Sequence, residues 1–151
     1  MSDSDLMELY SRRILALASD IAHLGRLPDP TGSAHRRAPQ CGSSVTVDVR
    51  MAEDRIAAFA QEIRACALGQ ASAGALGQAV LGRSRAEIAR ARDQLLAMLT
   101  ADGPAPEPPF EALGALLPAR AYPNRHASIL LAWEALVAAI DASTAQPSAP
   151  A

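Results

Sequence analysis

The stretch VTVDVRMAEDRIAAFAQEIRAC, residues 45–66, decides the fold. Val45, Val47 and Val49 alternate with Thr46, Asp48 and Arg50, the period-two pattern of a strand with one buried face. Residues 52–55, AEDR, read as a turn. Ile56 to Ala65 reads as a second strand, although its alanines fit a helix equally well. Two short strands across a tight turn predict an antiparallel hairpin. The loop ahead of Cys41 has room for a third strand.

Helices are expected on both sides of the hairpin. Leu6, Leu9, Tyr10, Ile14, Leu17 and Ile21 recur at spacings of three and four, so residues 5–20 read as an amphipathic helix with Asp3 or Ser4 as cap. Residues 25–40 carry three prolines and two glycines and read as a loop that can include a short strand. After Cys66, residues 67–81 read as helix, ending at Gly82. Ser84 followed by Glu87 is a capping box. It opens a helix whose apolar stripe is Ile88, Ala91, Leu95 and Leu99. The proline-rich DGPAPEPP, residues 102–109, reads as an inserted loop or lid, with a short helix over 109–115. A last helix, from about Arg125 to Asp141, places Ile129, Trp133, Leu136 and Ile140 on one face. Trp133 reads as core packing. There is no internal repeat. The element order predicts an α+β fold: a small antiparallel sheet of two to three strands with helices packed on one face. Residues 1–141 form the single domain and 142–151 a disordered tail.

Half of the 151 residues are hydrophobic, mostly Ala and Leu, and aromatics are scarce. A core made of such residues has to rely on close approach of helices rather than on bulk. The net charge of −2 gives no electrostatic reason for binding nucleic acid or an acidic membrane surface. All basic residues are Arg, which matches genomic base composition without requiring a function. No run of about 18 apolar residues is present, and the polar, acidic N-terminus is unlike a signal peptide. The expectation is therefore a cytoplasmic chain with no membrane partner. There, the two cysteines are more readily thiols or metal ligands than a disulfide.

Cys41 stands just before a strand, and Cys66 just after one, at a helix start. A hairpin brings both to the same end of the sheet. A helix N-terminus favours thiolate at Cys66. His126 opens the last helix, where it can reach the same corner. Two thiolates and an imidazole suit zinc or iron. No CxxC is present, so the spacing by itself favours two buried free cysteines and a surface histidine over a metal site. His23 and His35 read as surface histidines. GQASAG lacks the Walker spacing and its lysine, and no serine–histidine–acid set has an elbow motif. Arg120 and Arg125 either dock an acidic partner surface or form a solvated rim.

From Leu9 to Val137 the chain resembles the U-type iron–sulfur cluster scaffolds, the IscU, SufU and NifU N-terminal group, and most of all the SufU-like branch. The resemblance rests on Leu9–Tyr10, Gly25, CGS at 41–43, ACALGQASAG at 65–74, the proline-rich segment after Leu99, and YPNRHASILLAWEAL at 122–136. It implies metal held by cysteines at the Cys41 and Cys66 positions, with a [2Fe–2S] cluster or iron as cargo and zinc as an alternative. It also implies a cysteine desulfurase as sulfur donor and iron–sulfur acceptor proteins as recipients.

This sequence departs from the family at specific places. Ser43 stands where the family has aspartate. The third family cysteine is replaced by Ser128 in the ungapped alignment, or by Ala127 if His126 is aligned as the preceding histidine. Ile21, Ala22 and His23 stand in place of the family's Asn-Pro-Arg-Asn. Three readings follow: a divergent scaffold using Cys41, Cys66 and His126, with Ser43 and Ser128 as auxiliaries; a zinc-bound sulfur acceptor for the desulfurase; and a metal-free binding module.

Overall fold

The computed structural model describes residues 3–39 and 42–145, and within them the side chains from Ser11 to Thr144. The elements are α1 (Asp3–Ser19), β1 (Gly32–Ala38), β2 (Ser43–Ala52), β3 (Arg55–Arg64), α2 (Ala67–Ala79), α3 (Arg85–Thr100), two 3-10 segments (Glu111–Ala121 and Pro123–Arg125) and α4 (His126–Ala145). The strands form one antiparallel sheet in the order β1-β2-β3. The hairpin expected from residues 45–66 is present, and the loop ahead of Cys41 supplies the third strand. Glu53 and Asp54, both at positive φ, make its tight turn.

Val45, Val47 and Val49 are buried beneath α4, which lies across β1 and β2. The strand β1 is held close to that helix: a Cβ on Gly32 would fall on the carbonyl oxygen of Ala139. Helix α2 is nearly all Ala, Gly, Ser and Leu and buries most of its surface. A Cβ on Gly74 would fall on the carbonyl oxygen of Leu17, so α1 rests backbone-to-backbone on α2. Ser72 links α2 to α4, its hydroxyl donating to the carbonyl of Ile129 (2.6 Å) and accepting from Trp133 Nε1 (3.0 Å). Trp133 is the core residue expected, with Phe110 edge-on against it at 4.9 Å.

The outer face of the sheet carries one buried charge. Asp48 is wholly buried and accepts from Arg26 Nε (2.7 Å), Arg26 Nη2 (3.1 Å), Leu27 N (2.9 Å) and Ser33 Oγ (2.6 Å). This network fastens the proline-rich 25–31 loop to the sheet. Gln61 fastens the segment before it: its main chain pairs with His23 and Gly25, and its amide donates to the carbonyl oxygens of Ala22 and Ala73.

Several boundaries differ from expectation. The helix expected at 109–115 is a longer 3-10 segment, because Pro118 within it cannot donate the α-helical bond. The 102–109 segment is tied down rather than free to act as a lid. Arg90 pairs with Glu107, Gln94 accepts from Glu107 N, and Arg120 donates to the carbonyls of Met98 and Gly103. The last helix continues past Asp141 to Ala145, and residues 146–151 of the expected tail lie outside the described residues. Against the expectation from hydropathy, Pro123–Thr144 is long and apolar enough to cross a membrane by length and composition; most of its apolar window is buried in this fold. The capping box is as expected, Ser84 Oγ accepting from Glu87 N and Glu87 accepting from Ser84 N.

Two predictions follow from this packing. Gly74→Ala gains about 1 kcal/mol of helix propensity but forces a methyl onto a backbone oxygen that no rotamer change can move. We expect a net loss of about 2 kcal/mol or more, read as a lower urea midpoint. Asp48 is the second case. Burial raises its pKa, but bonds from Arg26, Ser33 and Leu27 outweigh this and hold it below the ordinary value. Its contribution is therefore present above the unfolded-state carboxylate pKa and lost as pH falls through the folded one. Asp48→Asn should cost about 1–3 kcal/mol at neutral pH and flatten the acid limb of the stability profile.

Candidate functional site

Three elements meet at one end of the sheet. Strand β2 begins at Ser43, α2 is preceded by Cys66, and α4 places Ser128 in its first turn. Ser43 and Ser128 are buried, with their hydroxyls 3.0 Å apart. Cys66 Sγ lies 3.7 Å from Ser128 Oγ and is half-buried. Of the two residues that can replace the third family cysteine, Ser128 is the one against the thiol, and Ala127 faces solvent.

Local sequence builds this corner. Cys66 has extended backbone, φ −66° and ψ 172°, as the N-cap of α2. Gly69, one turn into α2, lets α4 approach. A Cβ there would come within 2.7 Å of Ser128 Oγ and of the Ala65 methyl. On the other side Gly42, at φ 71°, turns the chain from β1 into β2.

The Cys66 thiol has a lowered pKa. Burial alone would raise it. The backbone N–H of Gly69, the Ser128 hydroxyl, the N–H of Leu68 and the charge of Arg125 together outweigh burial by stabilising thiolate.

His126 is half-buried at the start of α4, with Nε2 2.9 Å from the carbonyl oxygen of Ala119. A carbonyl can only accept, so Nε2 carries the proton and neutral His126 keeps its lone pair on Nδ1. Cys41 lies outside the described residues, one position before Gly42. Among the described residues no three His, Cys, Asp or Glu side chains gather as a metal-holding group. His23 and His35 are exposed, as expected. His23 stands edge-on to Phe59, and His35 bonds Thr46. Gly69 was not singled out from sequence. Its only signal was its place one helical turn after a candidate thiol, and that signal gains meaning only once α4 is known to lie there.

This architecture is shared with solved proteins. The crystal structure of a nitrogen-fixing NifU-like protein (N-terminal) from Brucella abortus is 37% identical, with a TM-score of 0.89 over 94% of this chain and 99% of that one. A hypothetical protein solved by crystallography is 25% identical with a TM-score of 0.76, over 89% of this chain and 98% of its own. A protein from Fervidobacterium islandicum, described as an iron–sulfur cluster assembly scaffold for the SUF system, shares the fold at 22% identity, with a TM-score of 0.73 over 88% of this chain and 97% of its own. No family model and no curated protein matches the chain. The fold and corner define a U-type domain. By its identity to the Brucella protein over nearly its full length, the chain belongs to the NifU-like, U-type scaffold family.

The hydroxyl against the thiol has a measurable consequence. In metal-stripped protein, alkylation of Cys66 by iodoacetamide in a Cys41→Ala background should show a pH midpoint below that of an ordinary thiol. Ser128→Ala removes one thiolate donor, so the midpoint should move up. An unchanged midpoint would show that the hydroxyl has no part in lowering the pKa.

Proposed function

We propose that this chain is a divergent iron–sulfur cluster assembly scaffold. Iron and sulfide are its substrates, and a labile [2Fe–2S] cluster is the product it passes to acceptor proteins. The observation that carries the reading is the Cys66 corner: a low-pKa thiol at a helix start, at the place where the family holds metal. Thiolate is the form that ligates iron. Cys41 and Cys66 would supply the sulfur ligands and His126 the third, through Nδ1. The Ala119 carbonyl sets that tautomer in the way an outer partner commonly orients a metal-bound imidazole. Ser43 and Ser128 would lie beside the cargo as hydroxyls where relatives carry stronger ligands. A site poorer in thiolate holds its cluster loosely, which suits a protein that must release it. In this reading the chain is not an enzyme; it works in the cytoplasm and receives sulfur from a cysteine desulfurase.

The depressed pKa also favours a second reading, in which a zinc-bound form acts as sulfur acceptor. The Cys66 thiolate would attack the outer sulfur of the donor's cysteine persulfide. A new sulfur–sulfur bond forms at Cys66, the donor's bond breaks, and the donor cysteine leaves as thiolate.

Anaerobic reconstitution with iron, cysteine and a desulfurase separates the two. The scaffold reading expects sulfide-to-iron charge-transfer bands that vanish in both Cys41→Ala and Cys66→Ala. It also expects Ser128→Cys, which supplies a third thiol, to slow cluster loss to a chelator by about tenfold. Stoichiometric zinc, no bands and faster desulfurase turnover would favour sulfur acceptance. Bands of wild-type intensity in both alanine variants would overturn the site assignment.

A further inference from the structure

The carbonyl oxygen that holds His126 lies on a segment that maintains its own shape poorly. Ala119 O accepts from His126 Nε2 and from Tyr122 N, both at 2.9 Å. It belongs to the Glu111–Ala121 3-10 segment, an 11-residue run. Such helices have strained hydrogen bonds and rarely extend past about four residues. Pro118, immediately before Ala119, has no N–H to contribute. The position of the Ala119 carbonyl is therefore set from outside the segment.

Arg120 supplies that hold. Its Nε donates to the carbonyl of Met98 (2.7 Å), its Nη2 to the carbonyl of Gly103 (3.1 Å), and its Nη1 stands 3.4 Å from Asp102 Oδ1. Met98 lies in the last turn of α3, where carbonyls lack a partner within the helix. A planar guanidinium spanning two oxygens fixes direction as well as distance. Its anchor is itself held. Gly103 donates its N–H to the Ala97 carbonyl, and a Cβ on it would come within 3.0 Å of Ala97. Further along the proline-rich strap, Glu107 accepts two bonds from Arg90, and its N–H meets Gln94. Arg120 is thus neither a solvated rim nor a free docking charge. The Ala119 carbonyl and the Arg120 N–H share one planar peptide unit, so anchoring Arg120 aims that oxygen.

We propose that Arg120 is a positioning residue for the metal-loading corner: clamped to the end of α3 and to the 102–109 strap, it aims the Ala119 carbonyl that holds the His126 ring with Nδ1 free. The inference rests on the scaffold reading, in which Nδ1 is a ligand, and gives the strap a task in it. Without the clamp the ring loses its fixed partner, exchanges between its two neutral tautomers, and offers a lone pair at Nδ1 only part of the time.

Nitrogen-15 NMR of the metal-free chain, at about pH 9 where an ordinary imidazole is neutral, reads the ring directly. His126 should show a single tautomer with a ring N–H at Nε2 protected from exchange with water. Exposed His23 is the reference for a free ring. Arg120→Ala should bring His126 to the averaged shifts of His23 and remove the protected proton. Arg120→Lys, whose ammonium cannot span both carbonyls, should fall between. Arg85→Ala removes the pair to Asp141 that joins α3 to the far end of α4, a purely structural loss, and should leave the His126 signals in place. After anaerobic reconstitution with iron and inorganic sulfide, cluster loss to a chelator should be about tenfold faster in Arg120→Ala and unchanged in Arg85→Ala. Circular dichroism checks folding, and if Arg120→Ala is unfolded, Arg120→Lys carries both readouts. Wild-type His126 signals in the Arg120 variants would overturn the proposal. Altered signals with a wild-type rate of cluster loss would also overturn it, since His126 would then not be a ligand. Both outcomes leave the scaffold reading standing on its cysteines. A wild type that forms no cluster rejects that reading, and the inference with it.

Discussion

The close approach of α2 to its neighbours is the constraint on which the rest of this structure depends. Gly69, Ala71, Ser72, Ala73, Gly74, Ala75, Leu76 and Gly77 are all buried in that helix. With only one large side chain among them, they let α1 and α4 come to backbone contact distance. Dispersion between closely packed atoms falls off steeply with a gap, so a core built from alanine and glycine is stable only if the helices touch. The Ser72 bonds to Ile129 and Trp133 then fix the sliding register of α4 on α2. One turn before Ser72 lies Gly69, and before it the helix cap Cys66. One residue before Ile129 lies Ser128. The register that packs the core is therefore the register that places a hydroxyl on the thiol.

The chemistry of the corner follows from what stands there. A thiolate at a helix start is stabilised by backbone N–H groups that point along the axis. Ser128 adds a neutral hydroxyl beside the thiol, and Ser43 stands behind it within hydrogen-bond distance. Hydroxyls bind iron poorly while protonated, yet they hold a thiolate ready and shield it from bulk water.

Much of the fold was legible in the sequence. The valine alternation of 45–49, the Ser84–Glu87 box and the Ile129–Trp133–Leu136–Ile140 stripe each carry a pattern tied to one conformation. What was less legible has a physical reason in each case. Over 109–121, Pro118 turns an apolar helical pattern into a 3-10 segment. The end of α4 runs through Ser143, whose hydroxyl bonds Thr31, a contact no local pattern announces. At the site, the family resemblance put Ser43 and Ser128 with Cys66 but left Ala127 open in place of Ser128, and spacing alone could not set the hydroxyl against the thiol. Their contact depends on Gly69, one turn into the helix that Cys66 caps, and the choice between Ser128 and Ala127 is a matter of which side chain points inward.

Iron K-edge X-ray absorption on chain reconstituted without oxygen tests the central claim most directly. The account predicts iron bound by bridging sulfide and cysteine sulfur with a share of nitrogen or oxygen ligands, and loss of the cysteine contribution in Cys66→Ala. Iron in a purely nitrogen and oxygen shell, or a spectrum unchanged by Cys66→Ala, would contradict it.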